Sequence, residues 1–147
     1  MSALNWKEGG HGWEAHAGRV VGGCYWIRRH ESTDFFNRPT GPVWFEVAHS
    51  INEHPGYWRD RFLKPPAPTL DEARALAQAD HDRLATIYTD AAQRIGRTMS
   101  PDDRAVLLKL SPEERERLLQ LWHERFVDFT AAGALDELRR QEQAQIN

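Results

Sequence analysis

From Cys24 the chain alternates. Tyr25 and Ile27 fall on one side and Trp26 and Arg28 on the other, the period of two that marks a strand with one buried face. Val43 to Ala48 resumes the alternation, with Val43, Phe45 and Val47 opposed to Trp44, Glu46 and Ala48. The two runs predict an apolar sheet face of Tyr25, Ile27, Val43, Phe45 and Val47, and an opposite face carrying Trp26, Arg28 and Trp44. Upstream, Trp6 to Gly23 is punctuated by Gly9, Gly10, Gly12, Gly18, Gly22 and Gly23. That spacing suits strand ends, hairpin turns or bulges and forbids a stable helix. Ser32 to Pro42, with Asn37, Pro39, Gly41 and Pro42, predicts a connection outside any ladder. From His49 to Lys64 no period is legible, and the stretch reads as a long loop or a short irregular strand. Pro65, Pro66 and Pro68 then end any regular element.

Beyond the prolines the period changes. Thr69-Leu70-Asp71-Glu72 is a capping box, which starts a helix at Leu70. Leu70, Ala73, Ala77, Leu84, Ile87, Ala91 and Ile95 recur at three and four, the stripe a helix needs to lie on a sheet, and Gly96 supplies its stop. Asp80 falls on that stripe, so its carboxylate is expected to bond a loop amide or an arginine at the sheet edge. Then Ser100-Pro101-Asp102-Asp103-Arg104 returns as Ser111-Pro112-Glu113-Glu114-Arg115. Each copy places Ser at the N-cap, Pro at the first helical position and acids in the first turn, so two helix starts are written here. The second helix is expected to continue through Trp122, Phe126 and Phe129 to Gly133. That aromatic stripe packs against the rest of the chain or forms an interface, including one between two copies of the C-terminal helices. The predicted class is α+β: a small antiparallel β-meander packed on one long helix, followed by a C-terminal helical extension of two or three helices. The expected modules are 1–96 and 97–147.

Composition narrows the setting. A chain of 147 residues can bury a core without disulfides, and Cys24, its only cysteine, has no intrachain partner. That usage suits a reducing compartment, and no apolar run is long enough for an export signal or a bilayer span, so a cytoplasmic protein is expected. The net charge of −3 is uneven: residues 1–68 hold eight Lys/Arg and seven Asp/Glu, and residues 69–147 hold eleven and fifteen. Neither part has the basic excess that general duplex binding requires, nor enough acid to imitate DNA.

Candidate chemistry is sparse. His11 and His16, like His49 and His54, stand five apart, without the helical spacing or cysteine partners of a zinc site. His81 lies between Asp80 and Asp82, which point away from it on a helix. The histidines are read as surface or loop residues, and no metal or cofactor is expected. Cys24 follows Gly22-Gly23 with no histidine placed beside it by sequence, and no phosphate loop or catalytic grouping is written in the chain. No catalytic residue is therefore assigned. The denser constellation is Trp26, Arg28 and Trp44 with Trp58, Arg59 and Arg61, flat aromatic surface mixed with guanidinium groups. Protein-interface hot spots have that composition, and so do platforms for single-stranded nucleic acid. The alternative is that the C-terminal helices cover these tryptophans as core.

The run Thr69-Leu70-Asp71-Glu72-Ala73 through Asp80-His81-Asp82-Arg83 resembles the closing helix of small uncharacterised proteins of phages and mobile elements in high-GC proteobacteria. In that group a short tryptophan-containing meander precedes a Thr-x-x-Glu-Ala helix. Trp13 and Tyr25-Trp26-Ile27 stand where the meander is expected, so the likeness spans residues 10–90. The stretch Ser50 to Pro68 and the helices after Gly96 depart from the simple pattern. The resemblance implies a phage accessory protein: small, non-enzymatic and directed at host machinery. The expected function is thus a non-catalytic binding protein that occupies the surface of a host protein or nucleoprotein complex, such as a CRISPR or restriction system. Two alternatives stand beside it, a single-stranded nucleic-acid-binding module using the Trp/Arg face and a small enzyme centred on Cys24 or the histidines.

Overall fold

The computed structural model of the chain describes residues 3–54 and 57–146, with side chains given outside 52–54 and 57. Five strands come first: β1 (Lys7–Gly9), β2 (Gly12–His16), β3 (Cys24–Thr33), β4 (Pro39–His54) and β5 (Tyr57–Ala67), with a short helix α1 (Gly18–Val21) between β2 and β3. Four helices follow: α2 (Leu70–Ile95), α3 (Pro101–Lys109), α4 (Pro112–Arg125) and α5 (Ala131–Ile146). The strands form one antiparallel sheet in sequence order, β1 to β5, so the fold is α+β with a meander and C-terminal helices, as the hydrophobic pattern predicts. Two compact units divide the chain, Met1–Arg83 and Leu84–Asn147. No described helix is long and apolar enough to cross a membrane.

In the first unit the register aligns Trp13 with Ile27, Ile27 with Val47 and Val47 with Leu63. Directly opposed residues share a face, and the inner face buries Ala15, Tyr25, Ile27, Phe45 and Val47, with Val43 half-buried at its end. Helix α2 brings Ala73 and Ala77 to full burial, and alanine is the residue that lets a helix come close. Its start is capped as expected, Thr69 Oγ1 accepting from the Glu72 amide at 3.1 Å. Its end is Gly96, at φ +85°, whose amide donates to Ala92 O.

Three expectations about the strands need correction. The break between β3 and β4 is only Asp34 to Arg38, because Asp34 Oδ1 accepts from the Phe36 and Arg38 amides and closes a tight turn with Asn37 at φ +59°. Ser32, Thr33 and Pro39 to Pro42 belong to the strands, joined across a register shift between Glu31 and Thr33. Of the two readings of His49 to Lys64, the strand holds and the loop does not, and the strand is longer than expected: among the described residues 49–54 finish β4 and 57–64 open β5. The period of this stretch is hidden because polar His49, Arg59 and Arg61 occupy inner-face positions there, and because the register shifts between Phe45 and Val47 and between Asn52 and His54. Pro65 and Pro66 do not end the strand either. They lie on an edge strand, where an amide on the outer side has no ladder partner to lose.

In the second unit both serine caps are present, each a full capping box, Ser100 with Asp103 and Ser111 with Glu114. The helix from Ser111 stops earlier than expected. It ends at Arg125, residues 126–130 turn, and Gly133 sits inside α5. Side-chain bonds hold that turn: Trp122 Nε1 donates to Phe129 O at 2.9 Å, and Asp103 Oδ1 accepts from the Ala131 amide at 2.9 Å. Leu107, Leu118, Leu119, Trp122, Ala131 and Ala134 form the buried core around it.

Candidate binding site

The outer face of the sheet is built around a small residue. Ala48, fully buried, pairs with Trp26 on one side and Phe62 on the other, so an indole can lie across the sheet. Trp26 does so: its Nε1 donates to Asp60 Oδ1 at 3.2 Å and its ring meets Phe62 edge-on at 5.7 Å. The Arg28 guanidinium stacks 4.5 Å from the Trp26 ring. Beside them Trp58 is 56% and Phe62 49% exposed. Further along, Trp44 stacks with His30 at 5.5 Å, and His30 Nε2 lies 3.3 Å from Glu46 Oε1.

The β1–β2 hairpin borders this face and leaves a groove of about 810 Å³. Its lining includes Lys7, Glu8, Glu14, Trp26, Arg28, Trp58 and Asp60. Within it His16, Cys24, Ser50 and Asp60 are successive cross-strand partners on β2, β3, β4 and β5. The histidine missing beside Cys24 in the sequence is thus supplied by pairing. It does not activate the thiol. Burial, a hydrogen bond to Glu14 and the charges of Glu14 and Asp60 push Cys24 up to about 11, so it keeps its proton at neutral pH. Among the described residues no group of three or more His, Cys, Asp and Glu is arranged to hold a metal ion.

Arg61 belongs to the other side. In register with His49, it forks onto Asp80 of α2, Nη1 donating to Oδ1 at 3.1 Å and Nη2 to Oδ2. Tyr25 Oη also donates to Asp80 Oδ2, at 2.7 Å, and Arg83 donates to Oδ1. Burial alone would raise Asp80, and the hydrogen bonds from Arg61, Tyr25 and Arg83 outweigh it and hold the carboxyl below its ordinary range. The expected carboxylate–arginine bond is there. His49 is buried with it: Nδ1 accepts from Arg61 at 3.1 Å, Nε2 donates to Gly22 O at 2.9 Å, and burial pushes the imidazole down to about 4. His81, also buried, donates from Nε2 to Ala17 O at 2.8 Å. Two histidines expected at the surface or in loops therefore anchor the α1 turn from within.

Of the residues singled out by sequence, Trp26, Arg28, Trp44 and Trp58 share the outer face, whereas Arg59, opposite Ile51, and Arg61 belong to the inner row. Trp122, Phe126 and Phe129 do not make one stripe. Trp122 is fully buried, while Phe126 and Phe129 pack at 4.8 Å in the turn after α4, with Phe129 partly exposed. Sequence reasoning missed Phe62, concealed in the stretch without a period. It also missed Phe35 and Phe36, 96% and 70% exposed on the β3–β4 turn, where neighbouring prolines and a glycine drew attention to the connection alone. Compared with protein-family models, curated proteins and solved structures, the chain matches none of them.

Proposed function

We propose that the chain is a non-catalytic binding protein that acts by covering a surface of a host protein or nucleoprotein complex, in the manner of a phage accessory protein directed at a CRISPR or restriction system. The observation that carries this reading is the open aromatic surface of Trp58 and Phe62 beside the Trp26–Arg28 stack. Tryptophan and arginine dominate interface hot spots, and side chains mounted on paired strands lose little freedom on binding. The resemblance of the Thr69 helix to phage and mobile-element proteins supplies the biological setting.

Charge favours protein over single-stranded nucleic acid as the partner. A stacking platform needs cations along the phosphate path. This face sets Glu14, Glu46 and Asp60 among its aromatics, and Arg59 and Arg61 lie in the inner row. A thiol enzyme is disfavoured because Cys24 is held protonated. The reading is tested by plating a targeted phage on bacteria with an active CRISPR or restriction system. Expression of the chain should raise plating at least about tenfold, and Trp58→Ala with Phe62→Ala should return it to the empty-vector level. No change in plating against any such system would overturn the reading.

A further inference from the structure

We infer that the groove between the β1–β2 hairpin and the outer sheet face receives an arginine side chain from a basic segment of the protein partner, stacked on Trp58 and paired with Glu14 and Asp60. The inference rests on the outer face being the contact surface and names the partner's chemistry. About 810 Å³ is ample room for one long side chain and its flanking backbone.

Three features select a guanidinium. First, the line His16, Cys24, Ser50 and Asp60 contains no lysine or arginine, and Glu14 lies next to it on β2. Of the two cations of the lining, Arg28 is already stacked on Trp26 and Lys7 lies at the β1 edge opposite Glu14, so Asp60 has no cation across from it in the line. Second, the fields of Glu14 and Asp60 converge, since both act on the Cys24 thiol in the direction that disfavours negative charge. A cation entering there is attracted by both, and an anionic ligand is repelled. Third, the wall is aromatic. A planar guanidinium stacks on indole while its N–H groups fork onto carboxylate, which an ammonium cannot match. Arg28 over Trp26 already realises half of that geometry within the same face. Phe62, on the same outer face, would lie against the backbone that carries the side chain.

The experiment titrates the full chain with an acetylated, amidated Gly-Ser-Arg-Ser-Gly peptide at low salt, following the tryptophan indole N–H resonances. Saturable shifts of Trp58 and Trp26 are expected, at least about tenfold weaker for the citrulline peptide. Glu14→Gln and Asp60→Asn should each weaken binding while the circular dichroism spectrum stays unchanged. Equal response to the arginine and citrulline peptides, or no shift at Trp58, overturns the inference. So does free arginine binding as tightly as the peptide, which would mark a small-molecule pocket. If the peptide fails while Trp58→Ala with Phe62→Ala still abolishes the plating effect, the arginine site falls and the contact surface stands. If the peptide binds and that double variant leaves plating intact, the arginine site stands and the proposed function falls.

Discussion

Arg61 on the edge strand and Asp80 on the long helix are joined through both guanidinium termini, with Nη1 to Oδ1 at 3.1 Å, and Asp80 is largely buried. The pair ties β5 to α2 and orients Tyr25 and His49 on the way. Asp80→Ala leaves a buried guanidinium without its carboxylate, and removal of one partner of such a pair typically costs about 3 kcal/mol. The urea midpoint should fall accordingly. Arg83→Ala, whose side chain is half exposed, should cost less than about 1 kcal/mol.

His49 makes stability depend on pH. The unfolded chain binds the proton near the ordinary 6.5, while the folded chain binds it only near 4. The folded state therefore loses stability as pH falls from 6.5 to about 4, by up to about 1.4 kcal/mol per pH unit, and the loss levels off below. Asp80 acts in the same sense and lower down. Its folded pKa lies beneath the ordinary 3.8, so its contribution is complete above that value and is lost as pH falls through the folded pKa. Urea melts across this range should show the first decline in the native chain and a flatter profile in His49→Gln.

Cys24 reports on the groove. With the thiol pushed up to about 11, alkylation by iodoacetamide should be slow at pH 7 and rise with pH well beyond 9. Glu14→Gln removes a hydrogen-bonded carboxylate and should lower the apparent pKa and speed alkylation at pH 8. An alkylation profile with a midpoint near 8 in the native chain would contradict the placement of Glu14.

Two glycines separate backbone conformation from space. Gly18 and Gly23 both have positive φ, +83° and +74°. A Cβ at Gly18 meets nothing within 4 Å, but at Gly23 it would lie 2.0 Å from Ser50 O. Gly18→Ala should cost about 1 kcal/mol, and Gly23→Ala about 3 kcal/mol or more, since β3 and β4 must also part. Thermal melts of the two variants check the difference.

In the second unit Asp103 closes the box with Ser100 and also accepts from the Ala131 amide. Asp103→Ala leaves a buried amide unpartnered as well as removing a cap, and should cost about 2 kcal/mol. Ser100→Ala removes the cap alone and should cost about 1 kcal/mol. A reversed order in denaturant midpoints would show that the Asp103–Ala131 bond contributes nothing.

The sequence by itself determined whatever depends on neighbours along the chain. Periods of two and of three to four placed the face of Tyr25, Ile27, Phe45 and Val47 and the stripe through Ala73 and Ala77, because side-chain direction in a strand or helix follows from spacing. The caps at Thr69, Ser100 and Ser111 were legible because each satisfies amides within one turn. Cross-strand register was not legible, because it joins residues far apart in sequence. Tertiary structure therefore decided that β5 exists at all, that His16 faces Cys24, and that Arg59 and Arg61 leave the aromatic face to Trp26, Arg28, Trp44 and Trp58. It likewise ended α4 at Arg125, because the bonds that form the following turn come from Asp103 and Trp122. The aromatic face was written in the sequence, but the groove beside it arises only when four strands set Glu14, Cys24, Ser50 and Asp60 next to one another.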